Sequence, residues 1–394
     1  MFRVKNKEKG LALALEGGGA RGAYQIGVVK ALYENNVKFK SIVGTSIGAI
    51  NAAYLVQDSF DEIYNMWSTL SFKDLFDLDE EPLKKLLKKE VDFDLIKYLS
   101  KKLNECIKIG GLDTEKMRNI VLASIDEEKI RKSDISLGLV TMCISDLTPE
   151  EKFIDDIEEG SLVDYIMATS NLPVFKRATV NSKKYIDGGV WDNCPVSMLE
   201  KKGYSDAIVI RAYKRNRIRG YNGIIKRDNI KMHMIEPSES LGSILNFDTN
   251  NLNHLLKLGY YDGLRFIKKL DGDKYYISKV NINEISILLN NINNNEIEEI
   301  SNLLKINLKV GSNIMDELKN KIIPCLVLKT KNKKESSLKK SILEILEYVA
   351  ALENIDRFKE YSFYDFVDIL KESIKKSEHR NTNNEAIYKF IEVI

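Results

Sequence analysis

The first 56 residues of this 394-residue chain alternate short apolar runs with helical patterns, and this alternation constrains the fold more than any other feature. Leu11–Leu15 is short, apolar and followed by glycines, as buried strands are, and Phe39–Val43 is a second run of this kind. Between them, Ala23–Glu34 has apolar residues at helical spacing. A strand, a helix and a further strand in this order form a crossover unit with parallel strands. We therefore predict an α/β fold with a mostly parallel central sheet.

A serine follows the second predicted strand, in the sequence Val43-Gly44-Thr45-Ser46-Ile47-Gly48-Ala49. Gly44 and Gly48 flank Ser46 at the spacing G-x-S-x-G, and a buried helix is predicted for Ile47–Val56. A nucleophile on such a sharp turn sits in strained backbone geometry, where side chains two residues away on either side would collide. Glycine at both positions removes the collision. The pattern predicts that the Ser46 hydroxyl projects clear of the sheet, although an ordinary turn serine is the alternative.

A glycine-rich loop, Gly17-Gly18-Gly19-Ala20-Arg21-Gly22, connects the first predicted strand to its helix. Free amides at a helix N-terminus bind negative charge, which is either a pyrophosphate or the oxyanion of a tetrahedral intermediate. A dinucleotide site also needs an acidic residue about 20 positions further on. The segment Val37–Ser41 contains none, and the chain runs instead into the serine turn.

A candidate base for the serine occurs in Asp187-Gly188-Gly189, after a further predicted strand. A carboxylate beside glycines can approach another group closely, and a serine needs a base to become a nucleophile. The chain order Ser46, Asp187, His233 also matches a triad. However, His233 lies in the apolar run Met232–Ile235, which reads as strand interior. A triad through His233 or His254 is therefore the less favoured alternative to a two-residue site.

The glycine-rich loop, the serine motif and the aspartate motif follow one another along the chain in this order. Together they resemble the patatin-like phospholipase family, whose pattern is G-G-G-x-R/K-G, G-x-S-x-G and D-G-G/A. The segments Ala168–Phe175 and Asn193–Val196 also resemble the family on either side of the third motif. The resemblance covers roughly residues 10–212 and weakens between them in a helical stretch.

The resemblance implies a three-layer α/β/α sandwich and a lipid acyl hydrolase of the phospholipase A or lysophospholipase type that forms an acyl-enzyme. By resemblance, Ser46 is the nucleophile, Asp187 the base, and Gly17, Gly18 and Gly19 the oxyanion hole. Arg21 braces the glycine loop or favours an anionic headgroup. The remaining implied support residues are Gly22, Gly44, Gly48, Gly188 and Gly189. The chemistry implies no metal and no cofactor.

Composition along the chain predicts two domains. Residues 10–270 form the acyl hydrolase domain, and residues 58–134 within it are a helical insertion that contains the basic run Leu83–Lys89. That run is read as a solvated helix face, with membrane contact as the alternative. Residues 271–394 are rich in Asn, Ile, Lys and Glu and predict an α-helical C-terminal region.

The formal net charge of +2 argues against a nucleic-acid partner. The four cysteines are scattered and the three histidines share no ligand-like spacing, so reduced thiols and no zinc site are expected. No apolar run approaches the roughly 18 residues of a membrane span. These features predict a soluble, cytoplasmic protein. The family resemblance implies that it acts on phospholipid or another acyl lipid, with peripheral membrane contact left open.

Two other classes of function remain open on sequence grounds. One is a catalytically silent lipid-binding module, and the other is a nucleotide-dependent oxidoreductase that uses the glycine-rich loop. Within the enzyme class, transfer of the acyl group to an acceptor other than water is also open.

Overall fold

The computed structural model describes residues 9–75, 113–172, 175–214, 229–309, 311, 313–331, 337–377 and 384–394. The chain divides into two compact units, Met1–Gly263 and Leu264–Ile394. The domain boundary after residue 270 stays a prediction, because compactness alone does not show that either unit folds independently.

One sheet forms the centre of the first unit. Its strands are β1 (Ala12–Leu15), β2 (Ser41–Thr45), β3 (Ser136–Cys143), β4 (Thr148–Phe153), β5 (Ala178–Val180), β6 (Lys183–Asp187), β7 (Asp206–Ile210) and β8 (Lys231–Ile235). Among the described residues, hydrogen-bonded neighbours follow the path β5-β6-β3-β2-β1-β7-β8, and β4 also pairs with β3. Strands β2 and β6 pair with successive parts of β3. The pairs among β3, β2, β1, β7 and β8 are all parallel. The predicted mostly parallel sheet is therefore confirmed, with β4, β5 and β6 as its antiparallel part.

The described helices that begin in the first unit are α1 (Gly22–Glu34), α2 (Ile47–Val56), α3 (Phe60–Thr69), α4 (Phe72–Leu75), α5 (Glu115–Ser124), α6 (Glu127–Lys132), α7 (Leu162–Thr169), α8 (Val196–Lys201) and α9 (Thr249–Lys268). The last residues of α9 belong to the second unit. The predicted insertion is helical where it is described, in α3 to α6. Its basic run Leu83–Lys89 lies outside the described residues.

Helices cover both faces of this sheet, as the predicted three-layer arrangement requires. Ala12 and Ala14 of β1 share a core cluster with Val196 and Met198 of α8. Side chains alternate along a strand, so Leu13 and Leu15 point to the opposite face. There α2 packs so closely that a Cβ at Gly48 would lie 2.4 Å from the Leu15 carbonyl oxygen. Every residue of β1, β2 and β7 is buried, which is typical of parallel strands covered on both sides.

The second unit is mainly helical, as predicted. Its helices are α10 (Ile282–Asn290), α11 (Asn294–Leu303), α12 (Ile314–Glu317), α13 (Ile323–Lys331), α14 (Leu338–Leu352), α15 (Phe363–Lys376) and α16 (Glu385–Val393), and Leu318–Ile322 is a π-helical turn. The turn between α10 and α11 ends at Asn293, whose side chain caps α11 by accepting from the Glu296 amide.

A short parallel ribbon in the second unit was not predicted. It pairs β9 (Tyr276–Ile277) with β10 (Glu360–Tyr361). The predicted α-helical region is therefore interrupted after α14, which stops at Leu352. Two-residue strands are too short to show an alternating pattern in a sequence.

Candidate active site

Ser46 occupies the turn between β2 and α2, with a φ of 55° and a ψ of −129°. This backbone conformation is rare for any residue other than glycine and is a source of strain. The turn is closed tightly around it, because a Cβ at Gly44 would lie 2.3 Å from the Gly48 carbonyl oxygen. The Ser46 amide donates a hydrogen bond to Thr169 Oγ1 at 3.0 Å, which holds the turn from the side of α7. The geometry is that of a serine presented at the carboxyl edge of a parallel sheet.

The pairing of β3 explains why Asp187 lies beside this turn. Thr45, the last residue of β2, pairs with Val140 of β3, and the next residue, Thr141, pairs with Asp187. Strand β4 pairs with the same two residues of β3 and so occupies its other edge. Strands β2 and β6 therefore lie along the same edge of β3. The pairing with β6 begins where the pairing with β2 ends, at the turn that carries Ser46. The sheet itself brings the two predicted residues together.

The Asp187 carboxyl group is buried and only partly hydrogen-bonded. Its Oδ1 atom accepts from the Gly189 amide at 2.7 Å, whereas Oδ2 is buried without a hydrogen-bond partner among the described residues. Burial raises the pKa of Asp187 to about 6, while the Ser46 hydroxyl and the Gly189 amide oppose the rise. The Ser46 hydroxyl is thus near enough to the Asp187 carboxyl group to influence its pKa. A carboxylate with a pKa near neutrality is suited to act as a base.

The two glycines after Asp187 are required by close contacts. A Cβ at Gly188 would lie 2.0 Å from the Val140 carbonyl oxygen, and one at Gly189 would lie 2.6 Å from Asn193 Oδ1. Both distances are shorter than real Cβ atoms show, and the contact at Gly188 is with a backbone atom, which cannot turn aside as a side chain can. These glycines let the end of β6 reach the sheet edge that carries Ser46.

The glycine-rich loop lies against the serine. A Cβ at Gly17 would come within 3.3 Å of Ser46 Cβ. The Gly17 amide differs from the prediction for the oxyanion hole, because it donates to the Asn193 carbonyl oxygen at 2.9 Å and is already used. The amides of Gly18 and Gly19 have no acceptor among the described residues. They are the two donors of this loop that a negatively charged oxygen can take up.

Arg21 braces the glycine-rich loop. Its guanidinium donates to the Gly242 carbonyl oxygen at 2.6 Å and to that of Ala212 at 3.3 Å, and it lies over the Tyr213 ring at 4.2 Å. These contacts favour the bracing role over the headgroup role that the sequence left open. Gly22 makes room for a cavity wall, since a Cβ there would lie 2.6 Å from the buried ring of Trp67.

A cavity of about 1180 Å³ opens from these residues. Ser46, Asp187 and Gly17–Gly19 line it together with Arg211 and Glu16, which form an ion pair at 2.8 Å. Most of the remaining wall is apolar and includes Ile47, Ile50, Trp67, Leu70, Ile120, Val121, Leu172, Phe175, Leu241, Ile244 and Phe247. The volume and the apolar wall suit a ligand with long hydrocarbon chains.

The histidine alternative has no support in the geometry. His233 lies in β8, where its Nε2 is 3.5 Å from Asp206 Oδ1, and His254 on α9 pairs with Glu239 at 2.6 Å. Neither histidine lines the cavity. The third histidine, His379, lies outside the described residues.

Asp192 caps the segment after the third motif. Its Oδ1 atom accepts from the Cys194 amide at 3.0 Å and its Oδ2 atom accepts from the Ser197 hydroxyl at 3.1 Å. Asn193, to which the sequence assigned no role, holds the glycine loop by donating from Nδ2 to the Gly17 carbonyl oxygen at 3.1 Å. Thr169 was also missed, because its contact with Ser46 spans 123 residues.

The fold and site define an α/β protein with a serine turn, a buried carboxylate and a glycine loop at one apolar cavity. The family model of the patatin-like phospholipases matches residues 13–199. This part of the chain therefore belongs to the patatin-like phospholipase family, which makes the protein a hydrolase.

Curated relatives carry related names. "Probable lipid hydrolase 463L" of Invertebrate iridescent virus 6 is 24% identical over 287 residues, which are 70% of this chain and 91% of that protein. "Lysophospholipase nte1" of Aspergillus terreus is 49% identical over 51 residues, which cover 13% of this chain and 3% of that protein. Among solved structures, VipD from Legionella pneumophila has a TM-score of 0.42 and 14% identity, and the match covers 97% of this chain and 85% of that one.

Within the described parts of the chain, no helix combines the length and apolarity needed to cross a bilayer. The same residues contain no cluster of three or more His, Cys, Asp or Glu side chains arranged to hold a metal ion.

Proposed function

We propose that the protein is a serine lipid acyl hydrolase of the phospholipase A or lysophospholipase type that works through a Ser46–Asp187 dyad. One observation carries the proposal. Ser46 on its strained turn and Asp187, whose Oδ2 atom has no hydrogen-bond partner in the described part of the chain, line the same largely apolar cavity. A nucleophile, a base and space for acyl chains are the parts that ester cleavage in a lipid requires.

In the acylation step, Asp187 takes the hydroxyl proton as Ser46 Oγ attacks the ester carbonyl carbon. The amides of Gly18 and Gly19 hold the negative charge that develops on the carbonyl oxygen. The intermediate collapses as the ester C–O bond breaks, and Asp187 returns the proton to the departing alcohol or lysophospholipid. The acyl group is then bonded to Ser46.

In the deacylation step, water attacks the acyl carbon and gives a proton to Asp187. The bond from carbon to Ser46 Oγ breaks, and the proton moves from Asp187 to Oγ. A free fatty acid leaves and the enzyme is restored. Both halves use one base, which explains how a site without histidine can complete the reaction.

The three described cysteines, Cys143, Cys194 and Cys325, are in no disulfide with one another, which supports the proposed cytoplasmic location. The proposal also includes peripheral contact with a membrane. Val190 and Trp191 line the cavity directly after Gly189, yet they are 59% and 49% exposed. Exposed valine and tryptophan at an apolar opening suit insertion among lipid headgroups.

The membrane contact is tested with the double variant Val190→Ser and Trp191→Ser. We expect its affinity for phospholipid vesicles in a sedimentation assay to fall about tenfold or more, because less apolar area is buried in the interface. Turnover of a water-soluble ester stays near that of the wild type. Leu147→Ser is the matched control, since Leu147 is 74% exposed but does not line the cavity. Equal losses of vesicle binding in both proteins would count against the contact.

The central proposal is tested by labelling and by product analysis. A fluorophosphonate probe is expected to label the wild type at one serine, and Ser46→Ala to remove the label. Incubation with mixed phospholipids should release fatty acids and lysophospholipids detectable by mass spectrometry. A wild type that binds lipid but neither labels nor releases products would be a silent lipid-binding module instead.

A further inference from the structure

Ser170 lies between the two residues that anchor the proposed dyad. Its predecessor Thr169 accepts from the Ser46 amide at 3.0 Å, and its successor Asn171 accepts from the Asp187 amide through its carbonyl oxygen at 2.7 Å. The three-residue segment therefore spans the distance from the nucleophile to the base. Ser170 itself lines the cavity.

The Ser170 hydroxyl is a buried polar group that makes no hydrogen bond within the described structure. The residue is 5% exposed, and its Oγ atom has no hydrogen-bond partner among the described residues. Asp187 Oδ2, on the same cavity, is in the same condition. Leaving a buried polar atom unpaired costs about 1–3 kcal/mol. Because these two atoms line one proposed reaction site, a polar ligand that forms a hydrogen bond with each of them would remove this cost.

We propose that Ser170 is a positioning residue for the water molecule of deacylation, an inference that rests on the proposed function. Water has two O–H bonds. One points to Asp187 Oδ2, which takes the proton, and the other donates to Ser170 Oγ after rotation of that hydroxyl between staggered positions. These two hydrogen bonds leave a lone pair of the water oxygen directed at the acyl carbon.

The proton and bond balance is that of the deacylation step. The new C–O bond forms from water, the C–Oγ bond of Ser46 breaks, and one proton passes through Asp187 to Oγ. Ser170 exchanges no proton and forms no covalent bond. Its role is therefore specific to water, because an alcohol has a single O–H hydrogen and gives it to Asp187.

This difference between water and alcohol provides the test. Wild type and Ser170→Ala are compared on a water-soluble p-nitrophenyl ester, with and without methanol. In Ser170→Ala we expect a burst of p-nitrophenol close to one per active site and a steady hydrolysis rate about 10- to 100-fold lower, since misplacing a reacting group by ~1 Å can cost about 100-fold. Methyl ester formation stays within about twofold of the wild type, so the ratio of methyl ester to fatty acid rises.

Two results would overturn the role of Ser170. Unchanged hydrolysis in Ser170→Ala is one, and equal slowing of the burst, hydrolysis and methanol transfer is the other, since that pattern indicates a structural role. If Ser170→Ala does not fold, Ser170→Thr and Ser170→Val decide the matter. They have nearly the same shape, but only threonine keeps the hydroxyl, so the product ratio should rise in the valine variant alone.

Failure of the underlying function gives a different pattern. A wild type without a burst and without fluorophosphonate labelling, or a burst that persists in Ser46→Ala, contradicts the dyad itself. The Ser170 variants affect only how an existing acyl-enzyme divides between water and methanol.

Discussion

Replacing Ser46 with alanine is expected to lower kcat/KM for ester hydrolysis by about 10⁴- to 10⁶-fold, because the atom that forms the acyl-enzyme is removed. Asp187→Asn keeps the size and the Oδ1 acceptor for the Gly189 amide but cannot take a proton. Its loss is expected to be about 10²- to 10⁴-fold, the range for removal of a general base. Both values are measured with a soluble ester, so that membrane binding does not enter.

The double variant separates a dyad from two independent residues. If the two side chains act as one unit, Ser46→Ala combined with Asp187→Asn is no slower than Ser46→Ala alone. The matched controls are His233→Ala and His254→Ala, each expected within about threefold of the wild type because neither histidine lines the cavity. A loss of 10³-fold or more in either histidine variant would replace the dyad by a triad.

Local patterns in the sequence predicted the elements around the serine well. The run from β1 to α2 has apolar periodicity, and the two glycines that flank Ser46 are dictated by contacts within the run. Gly44 faces Gly48, only four residues away. Such short-range constraints can be read from spacing, because the colliding atoms belong to neighbouring residues.

The rest of the site depends on contacts between distant parts of the chain. The Gly17 amide was assigned to the oxyanion hole, but its acceptor is the carbonyl oxygen of Asn193, whose side chain also binds Gly17 across 176 residues. Thr169 supports Ser46 only because α7 ends beside the turn. A threonine at a helix end and an asparagine in a loop are ordinary residues in a sequence. Their roles appear only when the strand pairing of β3 places them.

The pairing of β6 with β3 also buries the Asp187 carboxyl group, and burial makes the ionised form of this group less stable. At the edge of β3, Asp187 is 4% exposed, and burial raises its pKa from 3.8 to about 6. In the proposed mechanism the buried carboxylate is a reactive group that is kept at the expense of stability, as active-site groups often are. This cost has consequences for both activity and stability as pH changes.

We expect kcat/KM of the wild type to fall about tenfold for each pH unit below about 6, because only the ionised carboxylate can take the Ser46 proton. At pH 4 the loss is therefore about 100-fold relative to pH 8. The profile is measured with a soluble ester, and circular dichroism at each pH shows that the protein remains folded. A flat profile between pH 5 and pH 8 would mean that Asp187 is not the base.

The stability of the wild type is expected to change with pH in the direction opposite to its activity. A carboxyl group whose pKa is higher in the folded state contributes stability below the unfolded pKa of 3.8, and this contribution is lost as pH rises through about 6. A rise of about two pKa units corresponds to roughly 3 kcal/mol. Asp187→Asn does not ionise, so urea unfolding should show it to be about 1–3 kcal/mol more stable than the wild type at pH 8. The advantage should shrink toward zero near pH 4. If Asp187→Asn is inactive and is also less stable than the wild type at pH 8, then the ionised Asp187 carboxylate stabilises the fold instead of destabilising it.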